Sequence, residues 1–408
     1  AADPCVAFVA AAGENAGAKI LVSTVASNLK DCAPFASAHG RKLNDAQQAA
    51  WERLYSQGTA LETAGQFPEA ISNYLAAAEI AADFAELQFR LGRCHRAQND
   101  LKSARRCFES ARDLDTLRFR ADAKLNAILA ATAHAHESRG VRFVDASEAL
   151  SHRGSDGIPG DELFYDHVHL TYEGNYALAH ALAEQAASLL PKDMASRDAG
   201  IWLAPERCAE RLALTGWNRY QMSELMERRL SEPPFTNQLN HASRRQSYLE
   251  RLVALKPFLQ PDALEQEAAI YRAALTNAPG DFHLHENFAK LLHARGDWEG
   301  AVAQTRQFAE LLPYHPTPYF NLGFLFAAQG RSAEAAQYYN EALRRRADYA
   351  EAYNGLGQTL TKQGQTNEAL RQFAQALQLR PDYVDALLNA GEVWEKAGQF
   401  ETAREYYL

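Results

Sequence analysis

Small and apolar residues recur with a fixed spacing near the C-terminal end of the chain. Two positions return every 34 residues as Ala or Gly: Ala289, Gly323, Gly357 and Gly391, then Gly296, Gly330, Gly364 and Gly398. Further positions hold alanines and, beside most of them, aromatic residues: Ala301, Ala335, Ala369 and Ala403, with Tyr339, Phe373 and Tyr407. Prolines end three units, since proline cannot continue a helix: Pro279, Pro313 and Pro381. The pattern predicts a solenoid of helical hairpins in which small residues lie where two helices cross.

A shorter array with the same period lies earlier in the chain. Four pairs of residues are 34 apart there: Gly58 and Gly92, Ala70 and Ala104, Tyr74 and Phe108, and Ala77 and Ala111. They predict two repeats from about 51 to 116. Two repeats alone are marginally stable, because each buries its apolar face only against its neighbours. We therefore expect the helix predicted at about 117–138 to cover the open face of the pair.

Both arrays resemble the tetratricopeptide (TPR) family, the second of them from about residue 248 onward with a degenerate first unit. The resemblance implies a protein or peptide partner in a concave groove, which receives the second, fifth, sixth and ninth positions of each inner helix. The candidate groove residues are Glu286, Asn287, Lys290, Asn321, Phe324, Asn354 and Gln358. They do not form the lysine and asparagine clamp that some members use for a chain-terminal carboxylate. The expected ligand is an internal peptide segment or a second copy of the chain.

Two short apolar runs rich in β-branched residues flank the first array. Residues 19–25 and 141–145 each have the pattern of a buried strand. Strands joined by a long helical crossover are typical of a parallel sheet. The sequence thus predicts a predominantly α chain with a partial, discontinuous α/β domain of the flavodoxin-like type. The predicted boundaries are 1–45 and 135–192 for that domain, 46–134 for the inserted repeats and their capping helix, 193–247 for a helical linker and 248–408 for the C-terminal array.

The stretch after the second strand contains the residues that suggest chemistry. Asp166 and His169 are three residues apart in a predicted turn, Gly174 follows, and an amphipathic helix runs to about Leu190. This order resembles the last motif of the SGNH, or GDSL-type, hydrolases. The resemblance implies that His169 is the general base for a serine nucleophile and that Asp166 orients it. Such a base is needed because a serine hydroxyl is a poor nucleophile until an imidazole takes its proton.

Two departures from the hydrolase pattern bear on this interpretation. Leu170 replaces the proline that often follows the histidine, and no Gly-Asp-Ser block precedes the first strand. The chain starts at Ala1 and stops at Leu408 within a helical pattern, so we expect the latter part of a longer protein, without the nucleophile. Bacterial TPR-containing SGNH-like proteins, which the chain resembles, are often anchored in a membrane upstream. Without such an anchor, a cytoplasmic protein is expected.

Composition narrows the choice of partners. The formal net charge is -9 and no basic block occurs, which argues against nucleic acid because a polyanion requires clustered Lys and Arg. No apolar run is long enough to span a membrane. The five cysteines are scattered without metal-site spacing, so neither a metal nor another cofactor is expected. His167 and His169, with Asp166 or His152, form an alternative set of metal ligands.

Two functions remain open at this point. The first is an SGNH-like serine esterase or acyl hydrolase in the intact protein, which acts on an acyl ester and uses its TPRs for protein–protein interaction. The second is a non-catalytic TPR scaffold that binds a peptide or protein. A Ser in a Gly-Asp-Ser-like block upstream would favour the enzyme, and its absence would favour the scaffold.

Overall fold

The computed structural model describes residues 4–190 and 202–407, most of which are helical. The chain divides into two units, Ala1–Pro205 with Gln221–Ala254, and Glu206–Tyr220 with Leu255–Leu408. The range predicted as a linker, 193–247, is therefore divided between the units. Its first residues, up to 201, lie outside the described residues, as does the end of the predicted α/β range.

The first unit contains two strands and the helices around them. In chain order its elements are α1 Pro4–Asn15, β1 Ile20–Ser23, α2 Asp45–Thr63, α3 Phe67–Ile80, α4 Ala85–Ala97, α5 Leu101–Asp113, α6 Ala123–Ala135, β2 Val141–Val144, α7 Ala146–Ser151 and α8 Tyr172–Leu189. The next helices, parts of which belong to this unit, are α9 Pro205–Arg211, α10 Gly216–Leu230 and α11 His241–Leu255. Short 3-10 helices span Glu137–Arg139, Phe235–Asn237 and Lys256–Leu259.

The second unit is a series of packed helical hairpins. Its remaining helices are α12 Pro261–Asn277, α13 Phe282–Ala294, α14 Trp298–Leu311, α15 Thr317–Ala328, α16 Ser332–Arg345, α17 Ala350–Lys362, α18 Thr366–Leu379, α19 Val384–Lys396 and α20 Phe400–Tyr407. From α13 onward, consecutive helices pair as hairpins. Tyr271, Tyr339 and Phe373 occupy one position of the repeat and are buried in a single continuous core. The paired helices and their shared core form the solenoid that the 34-residue period predicts.

The periodic glycines have two separate physical causes. A Cβ built on Gly357 would come within 2.6 Å of the Phe373 ring, so the hairpin can close only on a glycine there. Gly364 lies in the turn between α17 and α18 with φ of +75°, which side chains rarely tolerate. One set of glycines therefore permits close helix packing, and the other permits the turn.

The two strands lie where the sequence predicts them and pair in parallel, with Ile20 opposite Val141. Within the described residues the sheet consists of these two strands. Helix α6 packs on them through Ala133, which lies in one cluster with Val141 and Phe143. The helix predicted at about 117–138 as a cap for the first repeats thus has its main packing partners in the two strands, while its first residue, Ala123, donates its N–H to Asp113 at the end of α5 at 3.1 Å.

A segment without regular secondary structure covers the second repeat of the first pair. Leu29 and Ile158 pack against Phe89 and Phe108, the aromatic residues of α4 and α5. We call residues 28–41 together with Ile158 the internal cap. It buries apolar surface that a two-repeat array would otherwise leave in water, which favours the folded state.

Candidate functional site

Asp166 and His169 meet in a tight turn just before α8. Backbone hydrogen bonds from Tyr165 N to His169 O (2.7 Å) and from Thr171 N to Leu163 O (2.9 Å) close the turn. His169 Nδ1 lies 2.8 Å from Asp166 Oδ2. The Asp166 side chain is fully buried, whereas the His169 side chain is 52% exposed. The turn thus presents an imidazole to solvent while a buried carboxylate holds one of its ring nitrogens.

The surroundings of Asp166 keep it ionised. Burial would raise the pKa of this carboxyl group, but the backbone N–H groups of His169 and Val168 donate to Oδ1, each at 2.9 Å, and the net effect lowers the pKa. Arg229 Nη1 lies 3.7 Å from Oδ2 and adds a positive charge. An ionised carboxylate is what an orienting partner of an imidazole must be.

Gly174 and Thr171 explain the rest of the motif. A Cβ on Gly174 would come within 2.2 Å of the Leu163 carbonyl oxygen, a backbone atom that cannot move aside cheaply. Thr171 caps α8, because its Oγ1 accepts the N–H of Gly174 at 3.2 Å. The glycine therefore allows α8 to begin directly against the strand-like segment that carries the Asp166 turn.

His167 points away from solvent into an aromatic cage. Its ring packs against Phe35, Phe119 and Phe235 with centroid distances between 5.3 and 6.1 Å. Burial lowers the pKa of His167 to about 4 despite the adjacent Asp166 carboxylate. The side chain is therefore neutral at neutral pH, and its ring lies 6.2 Å from the His169 ring, nearly perpendicular to it.

Stability should fall on acidification because of His167. The unfolded chain takes up a proton near the ordinary pKa of 6.5, whereas the folded chain does so only near 4. The free energy of unfolding should therefore fall by about 2–3 kcal/mol on account of this group as the pH decreases from 6.5 to about 4. His167→Gln should remove this part of the pH dependence, measured by urea unfolding at neutral and acidic pH. His152→Gln, at a largely exposed histidine, is the matched control. If the free energy of unfolding depended on pH equally in wild type and His167→Gln, His167 would not be the group responsible.

A second site lies in the groove between the first helices of two neighbouring hairpins of the C-terminal array. A cavity of about 290 Å³ opens between α13 and α15, and we call it the groove pocket. Its lining residues are Glu286, Ala289, Lys290, His293, Thr305, Phe320, Asn321, Phe324 and Leu325. Burial lowers the pKa of His293, whose ring packs edge-on against Phe324. The walls are apolar, and the rim carries the Glu286–Lys290 ion pair at 2.8 Å.

The residues predicted from sequence for the groove have different surroundings. Four of them line the groove pocket: Glu286, Lys290, Asn321 and Phe324. Asn287 is half-buried on α13 and does not line the pocket. Asn354 is buried and accepts a hydrogen bond from Asn389 at 2.9 Å, and Gln358 is exposed on α17. Sequence reasoning missed His293, although it lies one turn after Lys290 on the same helical face, a spacing that could have revealed it.

Residues 4–190 and 202–407 contain neither an assembled metal site nor a helix suited to span a membrane. No group of three or more His, Cys, Asp or Glu side chains there is arranged to hold a metal ion. His152 lies instead beside Glu148, at 3.4 Å, so the alternative ligand set for a metal is not assembled. None of the helices in the same residues is both long enough and apolar enough to cross a membrane.

Comparison with known sequences identifies the repeats. Residues 55–117, 314–382 and 360–407 match family models described as tetratricopeptide repeat. The chain therefore carries TPRs in both arrays, as the 34-residue period predicts. No curated protein sequence matches the chain. No family model of a hydrolase is among these matches.

Several solved structures, some of them described as TPR proteins, are similar to parts of the chain. They include MamA from Desulfovibrio magneticus RS-1, at 17% identity and a TM-score of 0.33, covering 37% of this chain and 86% of that one. A thermophilic TPR protein from Thermus thermophilus, TTC0263, has 18% identity and a TM-score of 0.32, with 36% and 80% covered. YrrB, described as a TPR protein with an unusual peptide-binding site, has 21% identity and a TM-score of 0.31, with 39% and 79% covered.

Proposed function

We propose that the C-terminal array is a scaffold that binds an extended segment of a partner protein and holds one large apolar side chain in the groove pocket. The observation that carries this proposal is the pocket itself, an open apolar cavity on the face made by the inner helices. Phe324 is 47% exposed there, so a bound apolar side chain would cover surface that now contacts water.

The rim of the groove pocket favours an uncharged neighbour on each side of that apolar residue. Glu286 and Lys290 neutralise each other across 2.8 Å and offer no net charge to a ligand. The Asn321 side chain has both an amide donor and a carbonyl acceptor, which can pair with the backbone of an extended peptide. Affinity would then come from one buried side chain, and main-chain hydrogen bonds would set the register.

Selection from a random peptide library displayed on phage tests this function. Peptides selected on the immobilised chain should share one Leu, Ile, Met or Phe position. Phe324→Ala should weaken their binding by roughly 10- to 100-fold, because it removes about 1.5–3 kcal/mol of apolar contact. Phe400→Ala, at an exposed aromatic residue outside the groove pocket, is the control. Equal binding to wild type and Phe324→Ala, or a purely charged consensus, would contradict the proposal.

The Asp166–His169 turn supports a second function, that of an SGNH-like serine ester hydrolase. The supporting observation is a half-exposed imidazole whose Nδ1 is 2.8 Å from a buried, ionised carboxylate. In that arrangement the other ring nitrogen, Nε2, can accept a proton from a hydroxyl group, and the carboxylate stabilises the resulting positive charge. Phe119, half-exposed beside His167, offers an apolar surface on which an acyl group could lie.

Labelling by a fluorophosphonate, which reacts with activated serines, tests the hydrolase function. The sample is the product of the whole reading frame, so that any upstream serine is included. Labelling that disappears in His169→Ala supports a serine activated by this histidine. No labelling of folded wild-type protein would leave the scaffold as the function.

A further inference from the structure

Asn28 is the most extensively bonded residue of the segment that follows β1. It is fully buried, and its backbone N–H donates to His167 O at 3.0 Å. Its side-chain Nδ2 donates to Asp166 O at 3.1 Å and to Asp161 Oδ1 at 2.7 Å. One residue therefore holds the carbonyl groups of two successive residues, Asp166 and His167, at the centre of the turn that carries His169.

Asn28 is in turn fixed from its other side. Its Oδ1 accepts the N–H of Asp31 at 3.1 Å, and its backbone oxygen accepts from Arg120 Nη1 at 3.1 Å. Arg120 is buried in an ion pair with Asp115, at 3.3 Å. The side-chain oxygen and amide and the backbone oxygen and N–H of Asn28 are thus all hydrogen-bonded. These bonds leave the side chain a single orientation.

Contacts with the first pair of repeats hold the segment that contains Asn28 in place. Leu29, next to Asn28, lies against Phe89 and Phe108 as part of the internal cap. Further along, Ser37 Oγ accepts the N–H of Glu86, at 2.9 Å. The segment can therefore shift only if apolar contacts with both α4 and α5 are lost.

We propose that Asn28 is a positioning residue for the Asp166–His169 pair and that the first pair of repeats holds it in place through the internal cap. The proposal rests on the second proposed function, in which this pair activates a serine. The inserted repeats then serve the catalytic geometry, while partner binding belongs to the C-terminal array.

Only an asparagine satisfies all of these partners. An aspartate of the same shape cannot donate to Asp166 O, and its charge would face the Asp161 carboxylate, now 2.7 Å from Nδ2. Burial already raises the pKa of Asp161 to about 6, so a second carboxylate there would be strongly disfavoured. Asn28→Asp should therefore release the turn without removing any buried volume.

Proton NMR of the whole chain tests the proposal. A Nδ1 proton shared between His169 and Asp166 gives a downfield resonance that exchanges slowly with water, and its absence from His169→Ala assigns it. We expect Asn28→Asp to lose this resonance or to speed its exchange at least tenfold. Asn126→Asp, at a partly exposed asparagine bonded to the Val25 backbone, should keep it. Thermal unfolding of each variant shows whether the chain is still folded.

Phe89→Leu is the second variant, for use if Asn28→Asp does not fold. It keeps an apolar residue against Leu29 but removes part of the contact, so exchange of the same proton should quicken while the fold is retained. An unchanged resonance in folded Asn28→Asp, or in Phe89→Leu where that is the variant tested, would overturn the positioning role. Absence of the resonance from wild type would instead contradict the Asp166–His169 pair itself.

Discussion

Asp166→Asn should slow fluorophosphonate labelling of the whole reading-frame product by about 10³- to 10⁴-fold. The neutral amide keeps the shape of the carboxylate but can present an N–H to His169 Nδ1, now 2.8 Å from Asp166 Oδ2. The ring would then carry its proton on Nε2, the nitrogen that must accept the serine proton. The amide also provides no negative charge to stabilise the imidazolium.

The control for this experiment is Asp348→Asn, at a largely exposed aspartate of the C-terminal array. It should label at the wild-type rate, because the change is chemically the same but lies outside the turn. Rates are measured by stopping the reaction at successive times and quantifying the labelled band. Wild-type labelling of folded Asp166→Asn would show that another residue activates the serine.

Phe373→Ala should lower the free energy of unfolding of the C-terminal array by about 3–5 kcal/mol. The ring is 1% exposed and packs directly on Gly357. Because Gly357 has no side chain, it cannot fill the space that the ring leaves. Its removal leaves a cavity in a continuous core, and the helices on either side are held by their own hairpin partners, which restricts collapse.

Urea unfolding followed by far-UV circular dichroism measures this effect. Leu379→Ala, at a 43% exposed residue on the same helix, should cost much less and serves as the control. Because each repeat contacts only its neighbours, the variant should also broaden the transition of the array. A decrease in the free energy of unfolding below about 1 kcal/mol would contradict the prediction, since it would mean that the two hairpins collapse into the cavity.

The repeats and the turn could be predicted from sequence because their determinants are local. Gly357 and Phe373 are separated by less than one repeat, and the cause of their spacing is a contact between two consecutive helices. Asp166 and His169 are three residues apart, so their contact depends on one turn. The two strands were recognisable from their short apolar runs, and the long helical crossover predicted their parallel pairing.

The internal cap and the packing of residues 221–254 in the first unit could not be predicted, since their contacts join distant parts of the chain. Gln238 Nε2 donates to Ala33 O across a separation of 205 residues, and Tyr248 donates to Tyr165 O across 83. Neither the cap nor this stretch has a period that signals its partner. Arg244, buried against Asp161, resembles any polar residue of a solvated helix when only the sequence is considered.

The internal cap has a consequence for how this protein can change during evolution. Solenoids commonly gain or lose whole repeats, because a new unit needs only a matching neighbour. In the first array Leu29 and Ile158 already occupy the terminal surface of the second repeat. A duplicated repeat would have to displace them, and Asn28 would move with Leu29 away from the Asp166 turn. Related chains that keep Asp166 and His169 should therefore keep two repeats between these strands, even where their other array differs in length.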